Sequence, residues 1–271
     1  MSQSATGRGV QRVRHTLSFR LLEVVGVRPL SPHMRRITLG GPQLAGFHSP
    51  APDDHVKLFF FPAGVAPVAP TPGEAGAPPV WPAGMDKPPM RDYTPRRYDA
   101  ARGELDIDFV LHEESGPAGD WAAQAKIGDQ LLLAGPRGSG LVPHRPAGYL
   151  LIADEAGLPA LGRWLEDLPA GTPVQAFIEV DSPAEEQPLY TAAQLNLHWV
   201  HRRGAPAGDP ALLLGALRAA NLPKADVFAW AGAESSVVRA LRPYLIEELG
   251  VAEDSIKTAG YWKRGVADHH D

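Results

Sequence analysis

The chain predicts a β plus α/β fold, in which a six-stranded antiparallel barrel is followed by a parallel-sheet domain of nucleotide-binding type. Three observations carry this reading. At 271 residues the chain exceeds what one hydrophobic core usually supports, so two domains of ordinary size are expected. Before Pro146 the pattern is short strands and turns with little helix. After Pro146 strands alternate with helices. The boundaries that follow are a disordered lead-in at 1–14, a barrel domain at 15–145, an α/β domain at 146–265 and a tail at 266–271.

In chain order, the barrel strands are expected at 15–25, 34–39, 55–61, 91–98, 104–111 and 130–133. Segment 62–89, rich in Pro, Ala and Gly, holds no regular element. It reads as a mobile surface loop, and its place beside the fourth strand allows it a part in shaping a pocket mouth. A short helix at 120–125 ends before Gly128. In the second domain, strand 149–153 leads to helix 158–168 and strand 174–180 to a helix around 191–195. Strand 197–201 then leads to helix 211–220, strand 227–230 to helix 235–249, and a last strand near 256–262 closes the chain. Helices are expected on both faces of this sheet. Ligands of such sheets sit at the carboxyl ends of the strands, which puts Asp154-Glu155-Ala-Gly157 and Ala231-Gly232-Ala-Glu234 along one edge. Neither is a GxGxxG fingerprint, and a glycine in a strand-to-helix turn also serves geometry alone.

The chemistry concentrates in Arg91-Asp-Tyr93-Thr94-Pro-Arg96-Arg97. Side chains alternate along an extended run, so Arg91 and Tyr93 point one way while Asp92 and Thr94 point the other. Pro95 confines the run to an edge or strand end. Such an end suits a flavin clamp: Tyr93 stacks on the isoalloxazine ring, Thr94 bonds its polar rim and Arg91 pairs with a phosphate. The same residues also suit an ordinary basic turn. A second element, His112-Glu-Glu-Ser-Gly116-Pro117-Ala118-Gly119-Asp120-Trp121, reads as strand end, glycine turn and helix start. Free N–H groups there form an anion site, and Gly116 and Gly119 let a pyrophosphate approach closely. The alternative is a loop with Asp120 as N-cap and Trp121 as a core anchor.

These two runs, with Gly135-Pro136-Arg137-Gly138, Asp154-Glu155-Ala156-Gly157-Leu158-Pro159-Ala160 and Gly260-Tyr261-Trp262-Lys263-Arg264-Gly265, resemble the siderophore-interacting flavoproteins, the ferric-siderophore reductases. The five runs stand in that family's order. The resemblance implies a ferredoxin-reductase-like architecture, bound FAD, and reduction of siderophore-held ferric iron by electrons from NADH, NADPH or reduced ferredoxin. It implies flavin or nicotinamide contacts from Arg91, Tyr93, Thr94, His112, Gly116, Pro117, Ala118, Gly119, Trp121, Asp154, Glu155, Tyr261 and Trp262. It also implies a group of cations around the exposed flavin edge that hold the anionic siderophore, to which Lys57, Arg137 and one of Lys263 or Arg264 correspond. Two positions depart from the pattern. Gly119 stands where relatives often carry a hydroxyl residue, and Ala156-Gly157 replaces a Thr-Ala pair.

Composition narrows the classes. The absence of cysteine excludes disulfides, thiolate metal sites and iron–sulfur clusters, and it suits a cytoplasmic location. No apolar run approaches a membrane span, and residues 1–14 lack the apolar core of a signal peptide. A net charge of −5 argues against a nucleic-acid surface, so attraction for an anionic substrate must come from a local basic pocket. Lys57, in the otherwise apolar run Val56-Lys-Leu-Phe-Phe-Phe61, is an unexpected charge unless it faces water or a ligand. Arg137, Lys263 and Arg264 sit at turns, where charges are often merely solvated. The histidines, including the pair His269-His270, lack metal-ligand spacing. No catalytic proton donor is assigned. Two other classes stay open: a ferredoxin or flavin reductase on the same scaffold, and a protein that only sequesters ferric siderophore.

Overall fold

The computed structural model describes residues 9–71, 73, 77–111, 116–142, 146–220, 222 and 226–266. His112 and the histidine pair therefore lie outside the described residues. The chain divides into two compact units, one built from Arg14–Ser49 with Asp54–Ser139, the other from Met1–Val13, Pro50–Asp53 and Gly140–Asp271.

The strands of the first half are β1 (Gln11–Arg14), β2 (Phe19–Ser31), β3 (Met34–Gly40), β4 (Val56–Phe59), β5 (Met90–Tyr93), β6 (Pro95–Asp99), β7 (Glu104–Val110), β8 (Gln130–Ala134) and β9 (Gly138–Leu141). Strand β1 falls inside the expected lead-in and pairs with β9 as a two-stranded sheet. The other seven form one antiparallel sheet in the order β5-β4-β8-β2-β3-β7-β6. Its two edge strands, β5 and β6, are separated in the chain by Thr94 alone, so the sheet must curl until its edges nearly meet. This break accounts for seven strands where six are expected. The run 91–98 is not one strand: Met90–Tyr93 pairs with β4, and from Pro95, which lacks a donor, the chain pairs with β7 instead.

Alternation sorts the side chains of this sheet. Val56, Leu58 and Phe60 of the β4 run join Leu131 and Leu133 in the barrel core, with Tyr93 and Trp121 packed against it. Lys57 and Phe59 fall on the other face, where Phe59, Leu132 and Ala134 meet Phe61, Trp81 and Met90. Helix α1 (Pro117–Gln124) plugs the core with Ala118 and Ala122. It begins three residues earlier than expected. Pro117 is preset for a first helical position, and the N-cap is Gly116 rather than Asp120, which is exposed in the first turn.

The second unit holds β10 (Gly148–Ala153), α2 (Leu158–Asp167), β11 (Pro173–Val180), β12 (Gln194–His201), α3 (Pro210–Ala219), β13 (Val227–Glu234), α4 (Ser235–Pro243) and β14 (Ile256–Trp262). All five strands run parallel in the order β12-β11-β10-β13-β14. The order reverses between β10 and β13, which makes a topological switch point there. Helices cover both faces: α3 and α4 pack on Leu150, Ile152, Ala229 and Ala231, while Trp164 of α2 meets Tyr149 and Phe228 on the other side. The helix expected around 191–195 is not formed. Thr191 Oγ1 accepts from the Ala193 amide, and Gln194 already opens β12, whose alternating Gln-Leu-Asn-Leu run follows the period of a strand. Helix α4 is shorter than the expected 235–249. Pro243 cannot donate to the ladder, and the chain continues from Tyr244 as a wider turn closed by the Leu249 amide on the Tyr244 carbonyl.

Candidate functional site

Strand β5 carries the first set of functional side chains. Its register pairs Tyr93 with Val56 and Asp92 with Lys57. Tyr93 lies half-buried against Phe109, with ring centroids 4.4 Å apart, and Trp121 stacks beyond Phe109 at 5.8 Å. Burial pushes the Tyr93 hydroxyl well above its ordinary pKa, against the pull of Arg91. Arg91 donates to the Met90 carbonyl at 2.7 Å, and Thr94 is buried at the turn between β5 and β6. At α1, Gly116 supplies no side-chain cap, and Ala118 and Gly119 are small and buried in the first turn. The start of α1 therefore offers backbone N–H groups without a crowding side chain. An aromatic ring, a guanidinium and an uncapped helix start within one unit are the donor set that a flavin dinucleotide takes, so the residues present fit FAD.

The opposite face of the same two strands opens on a cavity of about 270 Å³. It is lined by the apolar Leu17, Phe19, Phe59, Trp81 and Met90 and by His55, Lys57, Lys87 and Arg137, of which His55, Lys87 and Arg137 are exposed. The structure thus brings Lys57 and Arg137 to one pocket. Lys57 is not a free charge, since its Nζ lies 2.8 Å and 3.0 Å from the two carboxylate oxygens of Asp92. Trp81 and Lys87 come from segment 62–89. Among the described residues of that segment there is no long regular element, but the amides and carbonyls of Thr71 and Val80 exchange two 2.9 Å bonds. Trp81 then docks on Phe59 and Phe61 with centroids 5.5 Å and 6.3 Å apart. Sequence reasoning passed over Trp81 and Lys87. One large aromatic inside a run of Pro, Ala and Gly was the available signal.

At the switch point of the second unit the acidic residues serve the fold. Asp154 is buried, and each carboxylate oxygen takes two bonds: Oδ1 from the amides of Ala156 and Gly157, Oδ2 from the Glu234 amide and from Trp262 Nε1. Burial, with Glu155 next to it, pushes Asp154 up to about 6. Glu155 holds Arg202 at 2.5 Å and 2.8 Å and accepts from the Asp181 amide. Arg202 also reaches Glu179 at 3.3 Å. The other oxygen of Glu179 has no hydrogen-bond partner among the described residues, and burial pushes this acid up to about 7. The Glu234 carboxylate caps α4 through the amides of Ser236 and Val237. Gly157 is obligatory by contact, since a Cβ there would lie 1.9 Å from the Gly232 carbonyl oxygen.

The side chains of Asp154, Glu155 and Trp262, expected at a cofactor, are thus spent on internal bonds. Tyr261 packs edge-on against Trp230 at 6.2 Å. Arg264 and Lys263 are both exposed, and Arg264 gives its guanidinium to the Ala207 carbonyl and its amide to Glu234. Both belong to the second unit, and Lys57 and Arg137 to the first. Among the described residues no helix is long and apolar enough to cross a membrane, and no cluster of three acidic or histidine side chains could hold a metal ion.

Comparison with known proteins gives this geometry a context. A family model described as the siderophore-interacting FAD-binding domain matches residues 23–140, and one described as siderophore-interacting protein matches residues 146–265. An NADPH-dependent ferric-chelate reductase of Escherichia coli strain K12 is 41% identical over 261 residues, covering 95% of this chain and 98% of that protein. The ferric vibriobactin reductase ViuB of Vibrio cholerae is 34% identical, covering 91% of this chain and 90% of that protein. A siderophore utilization protein from T. fusca superposes with a TM-score of 0.86 at 41% identity, covering 96% of this chain and 99% of that one. The ferredoxin reductase of carbazole 1,9a-dioxygenase, at 16% identity and a TM-score of 0.65, shares the fold.

Proposed function

The chain belongs to the siderophore-interacting protein family, and on that premise we propose that it is an FAD-dependent oxidoreductase that reduces siderophore-bound ferric iron with electrons from NADPH. The observation that carries the reading is the double use of one strand pair. Strand β5 turns Arg91 and Tyr93 to the face of the aromatic cluster, and it turns Asp92 and Met90 to the cavity that Lys57 and Arg137 rim. The cofactor set and the cation set are thereby one strand thickness apart.

FAD, when bound, supplies redox chemistry that takes up a pair of electrons and releases them singly. The chain's own residues do the positioning. Arg91 and the start of α1 hold phosphate, Tyr93 stacks on the ring, and Thr94 bonds its polar rim. Lys57 and Arg137 draw in the anionic chelate, which the protein's net charge of −5 would otherwise repel, and Lys263 adds a cation on the second unit. Ferric iron is held tightly by hard oxygen ligands and ferrous iron far less so, so reduction releases the metal. We further propose that the reaction runs in the cytoplasm, a reducing compartment that suits a chain without cysteine.

A second reading of the electron source has its own support. The amides that begin α2 and α4 beside the switch point already hold Asp154 and Glu234, which leaves those donors closed to a dinucleotide pyrophosphate. Reduced ferredoxin, docking on a surface, needs no such donors. The test is anaerobic stopped-flow reduction of the flavin by NADPH, NADH and reduced ferredoxin, with a ferrous-specific chelator trapping the product. A protein that takes up no FAD, or whose reduced flavin survives ferric siderophore, would sink the reading.

A further inference from the structure

The cavity lined in part by Pro78, Pro79, Trp81 and Lys87 is more apolar than a charge patch needs to be. Buried Phe59 and half-buried Met90 and Trp81 line it, and Trp81 packs on Phe59 and Phe61. Of its cations, Lys87 and Arg137 are exposed and Lys57 is half-buried, so their charges lie toward solvent. That pattern of an apolar body under a ring of positive charge is complementary to a flat, apolar group with anionic oxygens along one side. Size narrows the occupant further. A cavity of about 150 Å³ suffices for one benzene ring, so about 270 Å³ admits one substituted ring and excludes a whole iron chelate with three arms.

Building on the reading of the chain as a ferric-siderophore reductase, we propose that this cavity receives a single aryl arm of the siderophore, a catecholate or phenolate ring. Trp81 is the residue that selects for it. The ring enters against Trp81 and Phe59, and its oxygens stay at the rim beside Lys57, Lys87 and Arg137. The remainder of the chelate stays outside. Aliphatic hydroxamate arms have no ring to stack and gain nothing from Trp81. The stretch 77–89 is then a specificity element, anchored by the bridge of Val80 to Thr71 and by the Phe60 amide on the Pro89 carbonyl at 2.9 Å.

The experiment compares a ferric tris-catecholate with a ferric trihydroxamate on the FAD-loaded protein and its Trp81→Ala and Trp81→Phe variants. Loss of the wall is expected to raise KM for the tris-catecholate roughly tenfold. KM for the trihydroxamate and FAD content should stay where they are, and Trp81→Phe should recover most of the loss. Free 2,3-dihydroxybenzoate should compete with the tris-catecholate, quench indole fluorescence, and lose that quench in Trp81→Phe; cyclohexanecarboxylate should do neither. Equal shifts for both chelates, no shift for either, or loss of FAD in the variants would overturn the proposal. Should Trp81→Ala fail to fold, the parent's competition and quench decide, and their absence is equally fatal. A parent that binds dihydroxybenzoate at Trp81 yet reduces no ferric chelate would overturn the functional reading and leave the aryl site standing.

Discussion

Trp262 donates its indole N–H to Asp154 Oδ2 at 2.7 Å, tying the last residue of β14 to the turn that follows β10. The same oxygen accepts from the Glu234 amide at the end of β13. One carboxylate therefore fastens the carboxyl ends of three adjacent strands. Trp262→Phe keeps the ring and removes the donor, so it should lower stability by about 1–3 kcal/mol and leave the KM for ferric siderophore unchanged. Thermal unfolding with parallel kinetics checks this. A variant with normal stability and altered flavin spectrum would return Trp262 to the cofactor.

Glu179 gives the second unit an unusual pH dependence. Its ordinary value is 4.5, and burial raises it to about 7 in the folded protein. Between those values the folded state keeps a proton that the unfolded chain has lost, so this group's stabilisation is full below about 4.5 and is lost as pH rises to 7. Asp154, raised to about 6, acts in the same direction. Glu179→Gln should therefore be more stable than the parent at pH 8 and lack its share of the decline. Denaturant titrations at pH 5, 6.5 and 8 would measure it, and an unchanged slope would show that Glu179 titrates normally.

Arg91 and Tyr93 should separate the two parts of FAD affinity. If Arg91 holds the phosphate as proposed, Arg91→Ala should cost about 1.5–3 kcal/mol, which is roughly tenfold to a hundredfold in Kd. Tyr93→Ala should cost about 0.5–1.5 kcal/mol beyond burial if Tyr93 stacks on the ring as proposed. The measurement is FAD titration into apoprotein, by fluorescence. Full retention of FAD by the Arg91 variant would assign the phosphate elsewhere.

Lys57 and Asp92 are 25% and 30% exposed at their side chains, so their ion pair contributes at most about 1 kcal/mol to stability. Its weight lies in the field at the cavity. Lys57→Ala and Arg137→Ala should raise KM for anionic ferric siderophores, keep flavin content and weaken the salt dependence of the rate. Asp92→Ala should do the reverse and lower KM. If the Lys57 and Asp92 variants move KM in the same direction, the pair acts through structure rather than charge.

What was legible in the sequence was what local pattern controls. Two of the parallel strands could be read because Tyr149-Leu-Leu-Ile-Ala153 and Val227-Phe-Ala-Trp230 are unbroken apolar runs between turns, and β14 falls at the expected 256–262. The strand at Met90–Tyr93 could be read as the start of the expected run 91–98, although that run breaks at Thr94. What was not legible depends on long-range pairing. That Asp92 neutralises Lys57 follows from the β4–β5 register, which nothing in either strand alone dictates. Likewise, Asp154 and Glu155 read as ligand groups because an acidic pair at a switch point invites it. Their partners, Trp262 and Arg202, lie 108 and 47 residues away in the chain.

Lys263 and Arg264 are adjacent cations that the sequence leaves equivalent, and the structure sorts them. Arg264 is committed, its guanidinium to the Ala207 carbonyl and its amide to Glu234. Lys263 is exposed at the turn after β14, with its compact charge on a flexible stem. Arg264→Ala should therefore lower the unfolding midpoint by a loss of order 1 kcal/mol and change KM little. Lys263→Ala should leave the midpoint in place and raise KM for anionic ferric siderophores, additively with Lys57→Ala if the two act independently on the substrate. A KM effect confined to the Arg264 variant would reverse the assignment, because it would mean that the Ala207 contact orders a substrate loop rather than the fold.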